Sequence, residues 1–174
     1  MTYPTVIIED TRNQPGKHEN IRRFCEYSGI RVVRSKLVVG DYSLPTDQSV
    51  CVDTKQGLSE VYSNLIQSHD RFARECDLAK ELGIHLVILV EEPGIYTLAD
   101  VAEWKNPRYE RYMAIKNGHK YGKFMGTGLP PKKPVDSPRL MKMMHSFAQH
   151  HGCEWRFCSK EQTGAVLMEI LCHD

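Results

Sequence analysis

Apolar positions along the chain alternate between the spacing typical of strands and the spacing typical of helices. Short β-branched and apolar runs predict strands, whereas apolar residues three and four positions apart predict helices. The predicted strands are residues 5–9, 31–36, 37–42, 49–55, 84–91 and 153–158. The predicted helices are residues 17–28, 58–67, 71–82, 98–104, 108–116, 138–151 and 161–172. This alternation predicts an α/β fold in which helices cover both faces of a central sheet.

Length and composition favour one domain. The chain has 174 residues, of which 41% are apolar, which is enough for a single core. Residues 117–134 are rich in glycine and proline and predict a loop. We therefore expect one domain over residues 1–174 that carries a basic insertion around residues 105–136.

Charge points to a local surface rather than to the whole molecule. The net charge is only +1, but residues 108–135 contain seven Lys or Arg against one acid, with aromatic residues interleaved. Such a stretch could bind phosphates and stack unpaired bases, or it could be a solvated loop. The candidate DNA-binding lysines in it are Lys116, Lys120, Lys123, Lys132 and Lys133.

Cysteine usage and hydropathy bear on the compartment. The six cysteines show no paired spacing, and the N-terminal residues lack the apolar core of a signal peptide. The longest strand-like apolar run, residues 86–90, is too short to cross a bilayer. We expect an intracellular, cytoplasmic protein with no membrane partner.

Ionisable residues end two adjacent strand-like runs. Asp41 follows the first run, and Asp53 and Lys55 close the second. Residues 44–48 between them predict the turn of a hairpin, and the period of two places Asp53 and Lys55 on one face. Carboxylates brought this close repel each other unless a cation neutralises them, and their hard oxygens suit Mg²⁺ or Mn²⁺. The pattern predicts a metal-dependent nuclease site.

The same residues carry a resemblance to a known family. Asp41, a gap of eleven residues and then Asp53-x-Lys55 resembles the PD-(D/E)XK nuclease superfamily. Further segments carry a closer likeness within it: Gly40-Asp41-Tyr42, Asp10-Thr11-Arg12, residues 84–91, residues 154–159 and Thr163-Gly164-Ala165. Together they resemble the XPF-type nuclease domain of structure-specific DNA endonucleases. The resemblance implies a restriction-endonuclease-like core with a mixed sheet between two helical layers.

Three departures from the family pattern concern substrate contacts. The chain has Asp53-Thr54-Lys55 where the family usually has Glu-Arg-Lys, and Asn13 where the family has Glu. We also expect the protein to lack the family's helix-hairpin-helix module. The aspartate keeps a carboxylate ligand of shorter reach, while the loss of Arg and Glu removes a phosphate contact and an anion near the site.

The resemblance and the strand pattern together suggest a role for each group. Asp41 and Asp53 would be metal ligands together with the Thr54 carbonyl, and Lys55 would orient the attacking water or stabilise the charged phosphate. Asp10 would be a third carboxylate at the metal, or else would cap the turn beside Arg12. The alternative for the strand-end charges is ordinary solvated residues.

The sequence defines the roles of other charged residues near the site less clearly. Arg12 could contact the scissile phosphate, or it could pair with Asp10 and brace the site. On the two helices after the hairpin, the spacing could turn some charged residues toward the cleft, although we expect most of them to face solvent. These residues are Glu60, Arg71, Arg74 and Glu75.

We therefore expect a Mg²⁺- or Mn²⁺-dependent DNA endonuclease that acts at branched or single-to-double-strand junctions. Repair, recombination or phage replication in a bacterial or phage context would be its setting. The main alternative is a non-catalytic DNA-binding scaffold subunit of the same fold, and a restriction-like enzyme is a further alternative. The resemblance implies a homodimer formed through the last helices.

Overall fold

The structure is a computed structural model that describes residues 3–14, 16–117 and 132–172. The strands in these ranges are β1 (Val6–Asp10), β2 (Arg31–Ser35), β3 (Tyr42–Ser43), β4 (Val50–Lys55), β5 (His85–Glu91) and β6 (Glu154–Cys158). The helices are α1 (Glu19–Tyr27), α2 (Leu58–Ile66), α3 (His69–Glu81), α4 (Pro107–Lys116), α5 (Ser137–His151) and α6 (Thr163–Cys172), with a 3-10 helix at Ala99–Glu103. The sequence therefore predicts almost every element to within two residues at each end.

All strands join one mixed sheet in the order β2-β1-β3-β4-β5-β6. The pairs β1–β2, β4–β5 and β5–β6 are parallel, whereas β3 is antiparallel to both β1 and β4. The β3–β4 hairpin therefore occupies the centre of the sheet, as the sequence predicts. Because β4 pairs in parallel with the buried strand β5, a charged side chain at the end of β4 is shielded from water.

Two apolar clusters cover the two faces of this sheet. On one face, α2, α3 and α5 pack against β4, β5 and β6, with Leu65, Phe72 and Met144 among the buried residues. On the other face, α1 and α6 pack through residues such as Ile21 and Leu167. The predicted architecture, a mixed sheet between helical layers, is confirmed.

The largest local difference from prediction is the segment before Asp41. The sequence predicts a strand over residues 37–42, but residues 36–41 form an irregular loop and only Tyr42 and Ser43 pair as a strand. Two features interrupt the extended run. The Leu37 N–H donates to a side-chain oxygen of Asp10 (2.7 Å) instead of to a strand, and Gly40 adopts a left-handed φ of 72°.

The remaining differences are small. Within the predicted 98–104 helix, Ala99–Glu103 form a short 3-10 helix rather than an α-helix. Asp100 accepts hydrogen bonds from the N–H groups of Tyr96 and Thr97, which satisfies backbone donors outside a regular helix. Most of the predicted 117–134 loop lies outside the described residues, and the single-domain assignment with its 105–136 insertion stays a prediction. In the described ranges, no helix has the length and apolar character needed to cross a membrane.

Candidate active site

Asp41, Asp53 and Lys55 line one cavity of about 660 Å³. The cavity lies where the end of β4 meets the 36–41 loop and helices α2 and α3. β4 supplies Asp53 and Lys55 on the same face of the strand, because side chains two residues apart point the same way. The structure thus brings together the three charged groups that the sequence pattern singles out.

Asp53 and Lys55 form a buried ion pair. The Lys55 Nζ lies 2.5 Å from Asp53 Oδ2, and only 5% of Asp53 is exposed. Burial raises the pKa of Asp53 to about 6, opposed by the Lys55 ammonium and assisted by the nearby Asp41 carboxylate. Burial also opposes the charge of Lys55, but the Asp53 carboxylate outweighs it, so the pKa of Lys55 is raised and the lysine stays charged. The ammonium also lies 5.2 Å from the centre of the Phe72 ring.

Asp41 is fixed through both its backbone and its side chain. Its N–H donates to the Val52 carbonyl (2.8 Å), and its carbonyl accepts from the Asp10 N–H (2.7 Å). Its Oδ2 accepts from the Thr54 N–H (2.9 Å) and from the Thr54 hydroxyl (2.6 Å). No hydrogen bond to Asp41 Oδ1 is formed within the described ranges, so this oxygen can bind an additional partner.

Gly40 lets the loop approach β4 closely enough to place Asp41. A Cβ at this position would lie 3.1 Å from the Val52 carbonyl oxygen and 3.3 Å from the Cys51 Cβ. We expect Gly40→Ala to lower the free energy of unfolding by more than the ~1–2 kcal/mol that a left-handed backbone costs an L-residue. Urea unfolding measures this loss. Gly83→Ala is the matched control, since Gly83 has a similar φ of 68° but open space around it; equal losses in the two variants would argue against a tight approach at Gly40.

Asp10 and Arg12 pair with each other beside the cavity. Asp10 is 1% exposed, and its carboxylate accepts from Arg12 Nε (2.7 Å), Arg12 Nη2 (3.1 Å) and the N–H groups of Arg12 and Leu37. These bonds lower the pKa of Asp10 against the opposing effect of its burial. The arrangement matches the turn-capping alternative, and Asp10 is not among the residues that line the cavity. Its role as a metal ligand stays a prediction.

The Arg12 guanidinium both braces Asp10 and borders the cavity. One Nη2 hydrogen bond reaches the Leu37 carbonyl (3.2 Å), yet the side chain remains 56% exposed. Arg12 therefore has exposed surface on the cavity side that could meet a phosphate. Its DNA contact stays a prediction.

Helices α2 and α3 contribute more to the cavity than the sequence suggests. Of their charged residues, Arg71 and Arg74 are exposed, as the sequence predicts, whereas Glu60 and Glu75 are half-buried. The cavity lining includes Glu60, Arg71, Arg74 and Glu75. Glu75 accepts from the Gly40 N–H (3.1 Å), and Glu60 contacts Lys17 (3.4 Å). Helical periodicity alone could not identify this orientation, because it depends on how α3 packs over β4 and the 36–41 loop.

The basic 108–135 stretch lies apart from this cavity as far as the structure describes it. Lys120 and Lys123 fall outside the described residues, while Lys116, Lys132 and Lys133 are exposed. Lys133 lies 5.3 Å from the Tyr109 ring centre. None of the described residues in the stretch lines the cavity. Their DNA binding stays a prediction.

The donor set fits a hard divalent cation. Asp53 Oδ2 is buried and accepts no well-aligned hydrogen bond within the described ranges. The Lys55 ammonium therefore balances its negative charge by electrostatic attraction alone. Those ranges contain no cluster of three or more Asp, Glu, His or Cys side chains placed to hold a metal. Two carboxylates suit Mg²⁺, which usually keeps several of its waters when a protein binds it. Thr54, whose carbonyl is a further candidate ligand, is fully buried.

Two solved structures resemble the chain over almost its full length. XPF from Aeropyrum pernix superposes with a TM-score of 0.60 and 17% sequence identity, covering 95% of this chain and 63% of that chain. A structure described as the same protein in complex with DNA gives a TM-score of 0.59 and 18% identity, covering 97% and 64% respectively. The chain therefore spans a little under two thirds of the length of these structures. No family model and no curated protein matches it. These likenesses show that the chain shares the fold of XPF from Aeropyrum pernix.

Proposed function

We propose that the chain is a metal-dependent DNA endonuclease. The observation that carries this proposal is the convergence of Asp41, Asp53 and Lys55 in one cavity of an XPF-like fold. Fold alone does not determine function, so the charged groups of the site supply the chemical support. A non-catalytic scaffold would have no need to bury the Asp53–Lys55 pair, whose desolvation is costly.

The chain's own residues suit phosphodiester hydrolysis. Asp41 Oδ1 and Asp53 would hold a Mg²⁺ or Mn²⁺ ion, which supplies Lewis-acid polarisation of the phosphate and lowers the pKa of a water. Thr54 keeps the Asp41 carboxylate turned toward the cavity. Lys55 would place a fixed positive charge beside the phosphate oxygens as negative charge develops, and partial burial strengthens that interaction.

Branched or junction-containing DNA is the substrate we propose, in repair, recombination or phage replication. The support is the resemblance of the sequence to structure-specific endonucleases and the presence of DNA in one structural neighbour. Cations around the carboxylates could contact phosphates on two strands at once. These cations are Arg12, Lys17, Arg71 and Arg74. A homodimer of a bacterial or phage protein is part of the same proposal, and sedimentation of the purified chain tests it.

The experiment that tests this function uses labelled single-stranded, duplex, flap and fork DNA. The purified protein is incubated with each substrate in Mg²⁺, in Mn²⁺ and in EDTA. We expect cleavage that requires the metal and is faster on flap or fork DNA than on plain duplex. Binding to all substrates without cutting in either metal would overturn the nuclease proposal and favour the scaffold alternative. Equal cutting of all substrates would overturn the junction preference alone.

Arg74 is expected to contribute a phosphate contact. It is exposed on α3 and lines the cavity. Arg74→Ala should weaken binding to all DNA substrates and reduce the slope of log affinity against log salt by about 1, since each neutralised phosphate releases about one counterion. Fluorescence anisotropy in Ca²⁺ at several salt concentrations measures both quantities.

Lys142→Ala is the matched control for this charge removal. Lys142 is exposed on α5 and does not line the cavity. It should leave the salt slope unchanged. A slope that falls equally in both variants would show that DNA binding follows overall charge and not this cleft.

A further inference from the structure

His18 is a buried histidine that no sequence motif points to. It is 2% exposed and occupies the N-cap position of α1, but its side chain forms no capping hydrogen bond. The ring instead packs edge-on against Tyr42 of β3, with ring centres 6.0 Å apart. Its Nε2 lies 3.1 Å from the Thr54 hydroxyl oxygen. A polar ring in such a place needs an explanation, because buried polar groups are costly when they are not hydrogen-bonded.

The order of donors and acceptors in this contact follows from Asp41. An ionised carboxylate can only accept, so the Thr54 hydroxyl must donate its proton to Asp41 Oδ2, 2.6 Å away. The hydroxyl oxygen is then free only to accept. His18 must therefore donate to it from a protonated Nε2.

The other ring nitrogen supports the same tautomer. His18 Nδ1 is buried and has no hydrogen-bond partner in the described ranges, so a proton there would be an unsatisfied buried donor. A neutral ring protonated on Nε2 and bare on Nδ1 satisfies each of these constraints.

We propose that His18 is a positioning residue that holds the Thr54 hydroxyl as a donor to Asp41 and so keeps Asp41 Oδ1 directed at the metal position. This inference rests on the proposed nuclease function. Without His18, the Thr54 hydroxyl could rotate away from Asp41 and donate its hydrogen bond to another acceptor. The Thr54 N–H would then be the remaining hydrogen bond to Asp41 Oδ2. The carboxylate would lose orientation, although every residue that contacts substrate or metal would remain.

The contact is a feature of this chain's own sequence. Thr54 stands where the resembling family usually has Arg, and an arginine side chain could not accept a hydrogen bond from histidine. Where the family has a long cationic side chain, this chain has the fully buried Thr54. Its hydroxyl links His18, at the start of α1, to Asp41. Partners of this kind, hydrogen-bonded behind a metal ligand, typically change metal affinity by ~10–100-fold when they are removed.

The first test reads the hydrogen bond without any metal or substrate. In ¹⁵N-histidine NMR of the wild-type protein, we expect His18 to be neutral and protonated on Nε2. We expect the ¹³Cγ signal of Asp41 to move in Thr54→Val and His18→Phe, but much less in Thr54→Ser and His18→Gln, which keep a hydroxyl and a side-chain N–H donor. A His18 ring protonated on Nδ1 would overturn the proposal.

The second test measures the Mn²⁺ affinity of the same variants by isothermal titration calorimetry. Thr54→Val and His18→Phe should bind Mn²⁺ at least about tenfold more weakly than the wild type, while Thr54→Ser and His18→Gln stay close to it. His145→Phe, at an exposed position on α5, is the control for the loss of an imidazole. Circular dichroism melts identify any variant that fails to fold, and the two conservative variants then decide the outcome.

The outcomes separate this inference from the proposed function. Unchanged Mn²⁺ affinity in folded Thr54→Val would overturn the positioning role even if the protein cuts DNA. If the wild-type protein neither binds Mn²⁺ nor cuts DNA, the proposed function fails, and the NMR result alone decides whether His18 orders Thr54 and Asp41.

Discussion

Asp53→Asn is expected to reduce metal-dependent DNA cleavage by about a thousandfold or more. The substitution removes one of the two carboxylates proposed to hold the metal in the cavity while keeping the shape of the side chain. Charge stabilisation by a bound cation contributes several kcal/mol to such reactions, and each ~1.4 kcal/mol corresponds to a tenfold change in rate. Single-turnover cleavage of a flap substrate in Mg²⁺ measures the loss.

Stability must be separated from chemistry in this experiment, because Asp53 is half of a buried ion pair. Removing one partner leaves Lys55 buried and unpaired, which typically costs ~3–5 kcal/mol. The double variant Asp53→Asn/Lys55→Met removes both charges and should recover most of that loss, yet remain inactive.

Asp47→Asn is the control for the loss of a carboxylate at an exposed loop position, and it should cut at the wild-type rate. Cleavage by folded Asp53→Asn within about tenfold of the wild-type rate would exclude Asp53 as a required ligand.

Gly164→Ala is expected to destabilise the fold by about 3 kcal/mol or more. Gly164 lies in the first turn of α6, where the helix crosses α1, and an added Cβ would overlap the Phe24 Cβ and lie 2.5 Å from its Cγ. The Cβ of Phe24 is fixed by its backbone, so the helices must move apart. Overpacking usually costs ~1–3 kcal/mol, and this contact is closer than a side-chain rotation can relieve. For a chain of this size the melting temperature falls by roughly 2–4 °C per kcal/mol.

The sign of this change is diagnostic. Without the contact, alanine would favour a helix over glycine by up to ~1 kcal/mol, so Gly164→Ala would then stabilise the protein. A double-mutant cycle with Phe24→Ala should show that part of the loss is recovered, since truncating the ring removes the Cγ contact but leaves the Cβ. A stabilised Gly164→Ala protein would show that α1 and α6 do not approach closely here.

Much of the fold could be predicted from local sequence. Strands such as His85–Glu91 are continuous apolar runs bounded by glycine and proline, and helices such as Ser137–His151 have clear caps. The pairing of Asp53 with Lys55 follows from the period of two along a strand. These features depend on neighbours close in the chain, which is why the sequence pattern is sufficient for them.

Features set by distant contacts could not be predicted in the same way. The loop before Asp41 reads as a strand because its residues are apolar, but the Asp10 side chain and the left-handed Gly40 hold it irregular. Helix periodicity predicts that Arg74 is exposed, as it is, but does not show that its exposed side chain borders the cavity. His18 carries no motif at all, and its contact with Thr54 spans 36 positions in sequence.

The most direct test of the proposed metal site is crystallography of the protein soaked with Mn²⁺, with anomalous differences used to locate the ion. We expect one anomalous peak within coordination distance of both Asp41 Oδ1 and an Asp53 carboxylate oxygen, and no peak there in Asp53→Asn crystals. A wild-type protein that cuts DNA in Mn²⁺ but shows its ion elsewhere, or shows none between these two carboxylates, would refute the assignment of Asp41 and Asp53 as the metal ligands.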